Sequence, residues 1–373
     1  MRFAVRRLIR AALRACAISS LALLAAAPAA ARAPATVEAA YRAEVRAFAQ
    51  EVAERNGIAE ARVLRTLRKA VLLPEVLRAI APPADPLRRS WQDYRALFVN
   101  AARIDGGAEF WQRHAETLAR ARSVFGVPEE IVVAIIGIET VYGRNSGKYR
   151  VLDALATLAF AYPPRAGFFR TELEQFLILA QEPGADALSI RGSYAGAIGI
   201  PQFMPGSIRR YAVDFNGDGR TDVAGSADDA IGSVAHFLAR HGWTRDLAVG
   251  WPASLSGADV EDMLVRGVKP SFDVRQAAAR GIAVAVSLDL SAPAENLQLA
   301  LIDLPSRAAA TEYRLGSENF FALTRYNRSS FYAAAVADLA GELRLRRDHG
   351  TAPAAPPAAG AQPAEQQFSG AVR

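Results

Sequence analysis

Glu139 is a single carboxylate closing the apolar run Ile131-Val132-Val133-Ala134-Ile135-Ile136-Gly137-Ile138, just before Thr140-Val141-Tyr142-Gly143. An acid in such surroundings holds its proton firmly, because burial disfavours the charged form. The run opens with Pro128-Glu129-Glu130, which suits a first helical turn, and Gly143 suits a C-terminal stop. Glu139 would then stand at the negative end of a helix dipole, a second influence raising its pKa toward the range of a general acid. The alternative is a glutamate at the helix end that points into solvent or pairs with Arg144 or Lys148. The helix alone does not separate the two.

A second segment, Gly192-Ser193-Tyr194-Ala195-Gly196-Ala197-Ile198-Gly199-Ile200-Pro201-Gln202-Phe203-Met204-Pro205, combines three glycines with Ser193, Gln202 and Phe203. Glycines admit close approach, and hydrogen-bonding groups beside a flat apolar face suit a sugar. A glycine-rich turn packed on its own core is the other reading, and the pattern by itself favours it. A phosphate loop is excluded, since no Gly-Lys-Ser/Thr follows.

A third segment, Asp214-Phe215-Asn216-Gly217-Asp218-Gly219-Arg220-Thr221-Asp222, matches the start of an EF-hand calcium loop. Asp214, Asn216 and Asp218 take the first three ligand positions, Gly219 the sharp turn and the Arg220 carbonyl the fourth. Gly225 stands where a bidentate Glu is usual, so Asp228 or Asp229 would complete the shell, with Asp229 the expected ligand. An Asx-turn loop that needs no cation is the alternative. His114, His236 and His241 lack metal-ligand spacing, and Trp243 and Trp251 read as core.

Several elements must position these residues. Residues 37–80 carry apolar side chains at helical spacing (Val63, Leu64, Leu67, Val71), giving a helical domain over 34–90 that ends in the stiff connector Ala81-Pro82-Pro83-Ala84-Asp85-Pro86. A second helical stretch, 91–265, carries all three motifs. From residue 266 the pattern changes: Leu297, Leu299 and Leu301 alternate with Gln298, Ala300 and Ile302, and 311–315 and 319–324 are strand-like, predicting a small β domain over 266–323. Helical spacing over 329–345 predicts a helix returning to the core within 324–348. The fold class expected is α+β, mainly helical.

The ends of the chain differ from the middle. Residues 1–31 hold five arginines, a short apolar stretch and Ala29-Ala30-Ala31, the pattern of a secretory signal peptide cleaved after Ala31. Pro28 and the shortness of the stretch argue against a membrane helix. Without the signal, 44 − 5 = 39 Lys+Arg face 38 Asp+Glu, a net charge of +1, so nucleic-acid binding loses its electrostatic support. The one cysteine, Cys16, leaves with the signal, which excludes disulfides and thiol chemistry from the mature chain. The Ala/Pro-rich segment 349–373 reads as a disordered tail.

Together the motifs resemble the lytic murein transglycosylase B family. The resemblance rests on Gly137-Ile138-Glu139-Thr140 with Tyr142-Gly143, on Tyr149-Arg150-Val151-Leu152-Asp153-Ala154-Leu155-Ala156-Thr157-Leu158-Ala159-Phe160, and on Gly196-Ala197-Ile198-Gly199 with Gln202-Phe203-Met204-Pro205. It extends over about residues 41–345, through Thr324-Arg325-Tyr326-Asn327. The chain departs from the family pattern at Val223-Ala224 and at His236-Phe237.

The resemblance implies a lysozyme-like catalytic core over 91–265, with an additional helical domain and a small β domain. It implies cleavage of peptidoglycan between N-acetylmuramic acid and N-acetylglucosamine, with Glu139 as the only catalytic carboxylate, acid and then base, and no water consumed. Ser193, Gln202, Phe203, Tyr94, Tyr326, Asn327 and Tyr332 match saccharide-cleft residues. Asp214, Asn216, Asp218 and Arg220 match a calcium site, structural rather than chemical, and the chemistry requires no cofactor. Asp153 is taken as structural. A periplasmic, non-lipidated monomer is expected, with glycan strands as substrate and cell-wall synthesis or remodelling enzymes as partners. A hydrolytic muramidase on the same fold and a non-catalytic peptidoglycan-binding or calcium-dependent scaffold are the alternatives.

Overall fold

The computed structural model describes residues 35–82, 90–182, 186–256, 260–284, 297–307 and 309–348. The expected export signal, the expected tail and most of the Pro-rich connector lie outside these residues. The chain divides into two compact units, 1–43 and 44–373. Residues 35–43 of the first are helical and open α1 (Ala35–Asn56). The remaining elements belong to the second.

Helices α2 (Glu60–Leu67) and α3 (Pro74–Ile80) are amphipathic, burying Val63, Leu67 and Val76. Val71, expected on the same stripe, lies past the end of α2 and is 54% exposed. There the chain leaves helical geometry because side chains of the next layer capture its amides. Val71 N–H donates to Asp153 Oδ1 (2.9 Å) and Leu73 N–H to Thr157 Oγ1 (2.9 Å).

The next stretch runs through α4 (Trp91–Phe98), α5 (Ala101–Arg113), α6 (Ala115–Phe125), α7 (Glu129–Thr140), β1 (Tyr149–Arg150), α8 (Val151–Ala161), α9 (Ala166–Leu179), β2 (Arg191–Gly192), α10 (Pro205–Tyr211) and α11 (Ala227–Arg240). Then come β3 (Gly250–Leu255), α12 (Glu261–Val265), α13 (Val274–Ala279), β4 (Ile282–Val284), β5 (Ala300–Leu304), β6 (Glu312–Gly316), α14 (Glu318–Tyr326) and α15 (Ser330–Asp348). Helix α7 is apolar on every side, so it must be buried on every side. Packing from α5, α6, α11 and α15 does this, and Val132 through Ile136 are fully buried. Asp153 on α8 also receives a two-pronged ion pair from Arg150 (2.6 and 2.7 Å), so it acts as a strut between layers.

The antiparallel sheet has the order β4-β3-β6-β5. Alternate residues of β5 face opposite ways: Ala300, Ile302 and Leu304 join the large helical core, while Leu301 joins Phe272, Ile282, Leu299 and Leu315 in a smaller one. Two expectations need correction. Residues 319–324, read as strand, lie in α14, because Ser317 Oγ caps the helix at Asn319 N–H (3.1 Å) and Phe320 and Leu323 bury one helical face. Residues 250–255, read as part of the helical stretch, form β3, whose partners are as distant as Tyr313 and Gly316. Local spacing carries no trace of such pairing.

Among the described residues no helix is long and apolar enough to cross a membrane.

Candidate active site

Glu139 stands in the last turn of α7, half-buried, with its neighbours Ile138 and Thr140 buried. Tyr332 of α15 donates its Oη hydrogen to Glu139 Oε1 at 2.7 Å. Burial pushes the Glu139 carboxyl up to about 7, although the Tyr332 hydrogen bond favours the charged form and pulls the other way. No neighbouring carboxylate contributes to that shift. The solvent-facing and Arg144- or Lys148-paired alternatives are therefore set aside: Arg144 reaches toward Glu109 instead, at 4.0 Å. A carboxyl with this affinity for its proton can donate near neutral pH and serve as base afterwards.

Tyr332 is only 1% exposed and its ring stacks on Tyr326 at 6.2 Å between centroids, with planes 14° apart. Tyr326 in turn donates its Oη hydrogen to the Pro201 carbonyl (2.5 Å). Burial, then the nearby Glu139, holds both phenols well above the ordinary tyrosine range, so each remains a donor at working pH. Tyr332, expected as a saccharide-cleft residue, lies in direct hydrogen-bond contact with Glu139. Its distance of 193 residues along the chain hid this from sequence reading.

The glycine-rich segment folds as a tight loop whose close approaches are to its own backbone at Gly192, to the Leu155 side chain at Gly196 and to the backbone of Val223 at Gly199. A Cβ at Gly192 would meet the Ala197 carbonyl, and one at Gly199 (φ +73°) would lie 2.5 Å from the Val223 carbonyl. Thr140 ties the loop to α7 by donating to the Ile200 carbonyl (2.9 Å) and accepting from Gly143 N–H (3.0 Å). Ser193 is buried; its Oγ accepts from Ala197 N–H (3.1 Å) and Ala195 N–H (3.3 Å), leaving its own O–H to donate. Gln202, partly exposed at φ +51°, gives its Nε2 hydrogens to the Ser146 and Gly199 carbonyls (3.0 and 2.9 Å). Its Oε1 remains an acceptor.

Phe203 requires correction. At 2% exposure it packs on Phe237 and Tyr326 (centroids 5.4 and 5.7 Å), so it supports Tyr326 from behind and presents no face to a sugar. Tyr94 is partly exposed and lies against Phe98 and Phe331 (5.0 and 5.6 Å). Asn327, partly exposed at the end of α14, accepts from Ser329 N–H through Oδ1 (3.2 Å), which leaves its amide nitrogen available.

The Asp214 loop turns as an EF-hand start should. Asp214 accepts from Gly217 and Asp218 N–H (2.7 and 3.2 Å) on Oδ1 and from Gly219 N–H (2.8 Å) on Oδ2, while Asp218 Oδ1 accepts from Arg220 N–H (2.8 Å). Asp229, expected as the closing ligand, is fully buried. Its oxygens accept from Phe215, Asn216 and Asp222 N–H (2.8, 3.2 and 2.8 Å), so it holds the loop's frame from inside. Asp228 lines the same hollow of about 410 Å³ as Asn216, Asp218, Arg220 and Asp222. Among the described residues no three His, Cys, Asp or Glu are grouped to hold a metal. The fit to a hard cation therefore depends on the Asn216 amide and Arg220 carbonyl oxygens beside the carboxylates of Asp218, Asp222 and Asp228, a donor set that calcium accepts.

The mainly helical core with small antiparallel sheets is a lysozyme-like fold. Within that class, the chain belongs to the lytic murein transglycosylase B family: the family model described as the transglycosylase SLT domain matches residues 40–341. The chain is 38% identical over 309 residues to membrane-bound lytic murein transglycosylase B of Escherichia coli (strain K12), covering 80% of this chain and 82% of that one. Its fold matches the crystal structure of soluble lytic transglycosylase SltB1 from Pseudomonas aeruginosa, with TM-score 0.75, 43% identity and coverage of 82% and 99%. The calcium complex of the Escherichia coli lytic transglycosylase Slt35 matches with TM-score 0.70, 36% identity and coverage of 81% and 92%.

Proposed function

We propose that this enzyme cleaves the β-1,4 bond between N-acetylmuramic acid and N-acetylglucosamine in peptidoglycan without water, leaving 1,6-anhydromuramoyl ends. The observation that carries the reading is Glu139, pushed up to about 7 with no carboxylate among the described residues contributing to the shift. A glycosidase with two carboxylates divides acid and base or nucleophile between them. Here the embedded candidate partner, Asp153, is already occupied by Arg150 and the Val71 amide.

Protonated Glu139 gives its hydrogen to the glycosidic oxygen as the C1–O bond breaks, and the N-acetylglucosamine side departs as an alcohol. The carboxylate so formed, steadied by Tyr332 Oη, takes the proton of the muramoyl 6-hydroxyl. O6 closes on C1, completing the anhydro ring and returning Glu139 to its protonated state. No group is consumed. Ser193, Gln202, Tyr94, Tyr326 and Asn327 are proposed to contact the saccharide or orient those that do. Replacing Glu139 with Gln should abolish clearance of a sacculus suspension, a loss of at least about 1,000-fold. Clearance at the wild-type rate would remove Glu139 from the chemistry.

No cofactor takes part. Calcium, when bound, would be held by Asp214, Asn216, Asp218, the Arg220 carbonyl and Asp228, fixing a loop rather than supplying chemistry. Its support is the oxygen-rich hollow lined by Asn216, Asp218, Arg220 and Asp228, with Asp214 at the first position of the same loop. The enzyme is placed in the periplasm, on the pattern of residues 1–31.

A further inference from the structure

Helix α7 ends in a way that local preference does not explain. Val141 and Tyr142 both adopt left-handed backbone, at φ +50° and +61°. A single left-handed residue after a helix is usually Gly or Asn, and for a β-branched side chain the conformation is an outlier. Strain of this kind persists only where surroundings over-determine it, and it concentrates at functional sites.

The surroundings are specific. The turn is closed by Val141 N–H on the Gly137 carbonyl (3.2 Å) and Tyr142 N–H on the Ile136 carbonyl (3.3 Å). The reversal sends the Tyr142 ring back under α7 and against α5, into a slot that three glycines keep open. A Cβ at Gly137 or Gly107 would lie 2.5 Å from the Tyr142 hydroxyl, and one at Gly106 would lie 3.3 Å from the ring. At the end of the slot Tyr142 Oη donates to the Arg103 carbonyl (2.6 Å), while Arg103 Nε donates to the Gly137 carbonyl (3.2 Å). Residues 137 and 142 are thus bound to one residue of α5. On the opposite side Thr140 is tied to Ile200. Glu139 lies between these two anchorages.

We propose that Tyr142 is a positioning residue for Glu139, a wedge between α5 and α7 that fixes the last helical turn so that the carboxyl meets both Tyr332 and the scissile bond. This rests on the reading of Glu139 as the acid. Burial drives the Tyr142 phenol upward, so it works as a shape and a donor, not as a proton carrier. Displacing an acid by an ångström is enough to lose about 100-fold in rate, which is why a residue that touches no substrate can matter so much.

The test compares Tyr142→Phe, Tyr142→Leu and Val141→Gly with wild type for product formation from purified sacculi across about pH 5 to 9, with melting curves alongside. Tyr142→Leu should lower kcat by about 10- to 100-fold with KM within about twofold. Its alkaline limb should shift to lower pH, because water entering the slot lets Glu139 release its proton more easily. Val141→Gly relieves the strain, so it should keep its Tm within about 3 °C of wild type while kcat falls at least about fivefold. A structural role alone would move Tm and not the limb. If Tyr142→Leu does not fold, Tyr142→Phe and Val141→Gly decide. Wild-type kcat and an unmoved limb in both overturn the proposal. Glu139→Gln run beside them separates the two claims: an active Glu139→Gln removes the acid and the wedge's purpose together, whereas an inactive one beside unaltered turn variants removes only the positioning role.

Discussion

Two influences act on the Glu139 carboxyl in opposite directions, and both can be measured. Burial raises its pKa to about 7, and Tyr332 Oη at 2.7 Å lowers it. A folded-state pKa above the ordinary carboxylate value means that the folded chain holds the extra proton between roughly pH 4.5 and 7. Stability from this group is therefore fully present below pH 4.5 and is lost as pH rises through 7. Glu139→Gln should be indistinguishable from wild type at pH 4 and more stable by about 1–3 kcal/mol at pH 8, read from urea midpoints. Equal midpoints at both pH values would mean an unperturbed acid. Tyr332→Phe removes the bond that favours the carboxylate, so the alkaline limb of activity should move upward by about half a unit to one unit. An unmoved or lowered limb would separate Tyr332 from the acid. The position of Glu139 in an apolar helix was legible in the sequence because its neighbours create the burial. Tyr332 was legible only as a residue of the resemblance, since the contact joins the ends of two helices far apart in the chain. Phe203 misled for a related reason: a flat ring beside polar groups has the same pattern whether it faces a sugar or its own core.

At the scale of elements, the Asp214 loop shows how far spacing alone reaches. The one-three-five spacing of Asp214, Asn216 and Asp218 was legible because each closes a turn on amides two to five residues ahead. The division of labour between Asp228 and Asp229 was not, since which acid faces inward depends on how α11 docks. Asp229→Ala would orphan three amides at once and should cost about 2–4 kcal/mol, measured by urea unfolding without calcium. Asp218→Ala should cost less than about 1 kcal/mol there, its amide contacts being exposed. Calcium should raise the Tm of wild type and leave that of Asp218→Ala unchanged; a wild-type curve identical with and without chelator removes the site. Strand β3 and helix α14 were misread at this same scale. The first is defined by its partners β4 and β6, about thirty and about sixty residues away, and the second by a serine cap that outweighs a strand-like run.

For the molecule as a whole, the fold puts one apolar helix at the centre and brings sequence-distant groups to its end: the glycine-rich loop from one side, α15 from another, α5 from beneath. The sheet is fastened to this assembly through Asp338 of α15, which takes Arg314 of β6 (2.6 Å) and Arg95 of α4 (2.7 Å). The α+β class and the helical majority were legible from periodicity. Which helix faces which was not, because packing partners leave only a common apolar face in the sequence. Under the proposed reading, Glu139 acts with no second carboxylate beside it among the described residues, and that bears directly on the product. Mass spectrometry of muropeptides released from purified sacculi is the most direct measurement. The account predicts 1,6-anhydromuramoyl ends without incorporation of 18O from labelled water; reducing muramic ends carrying 18O, with none of the anhydro form, would contradict it.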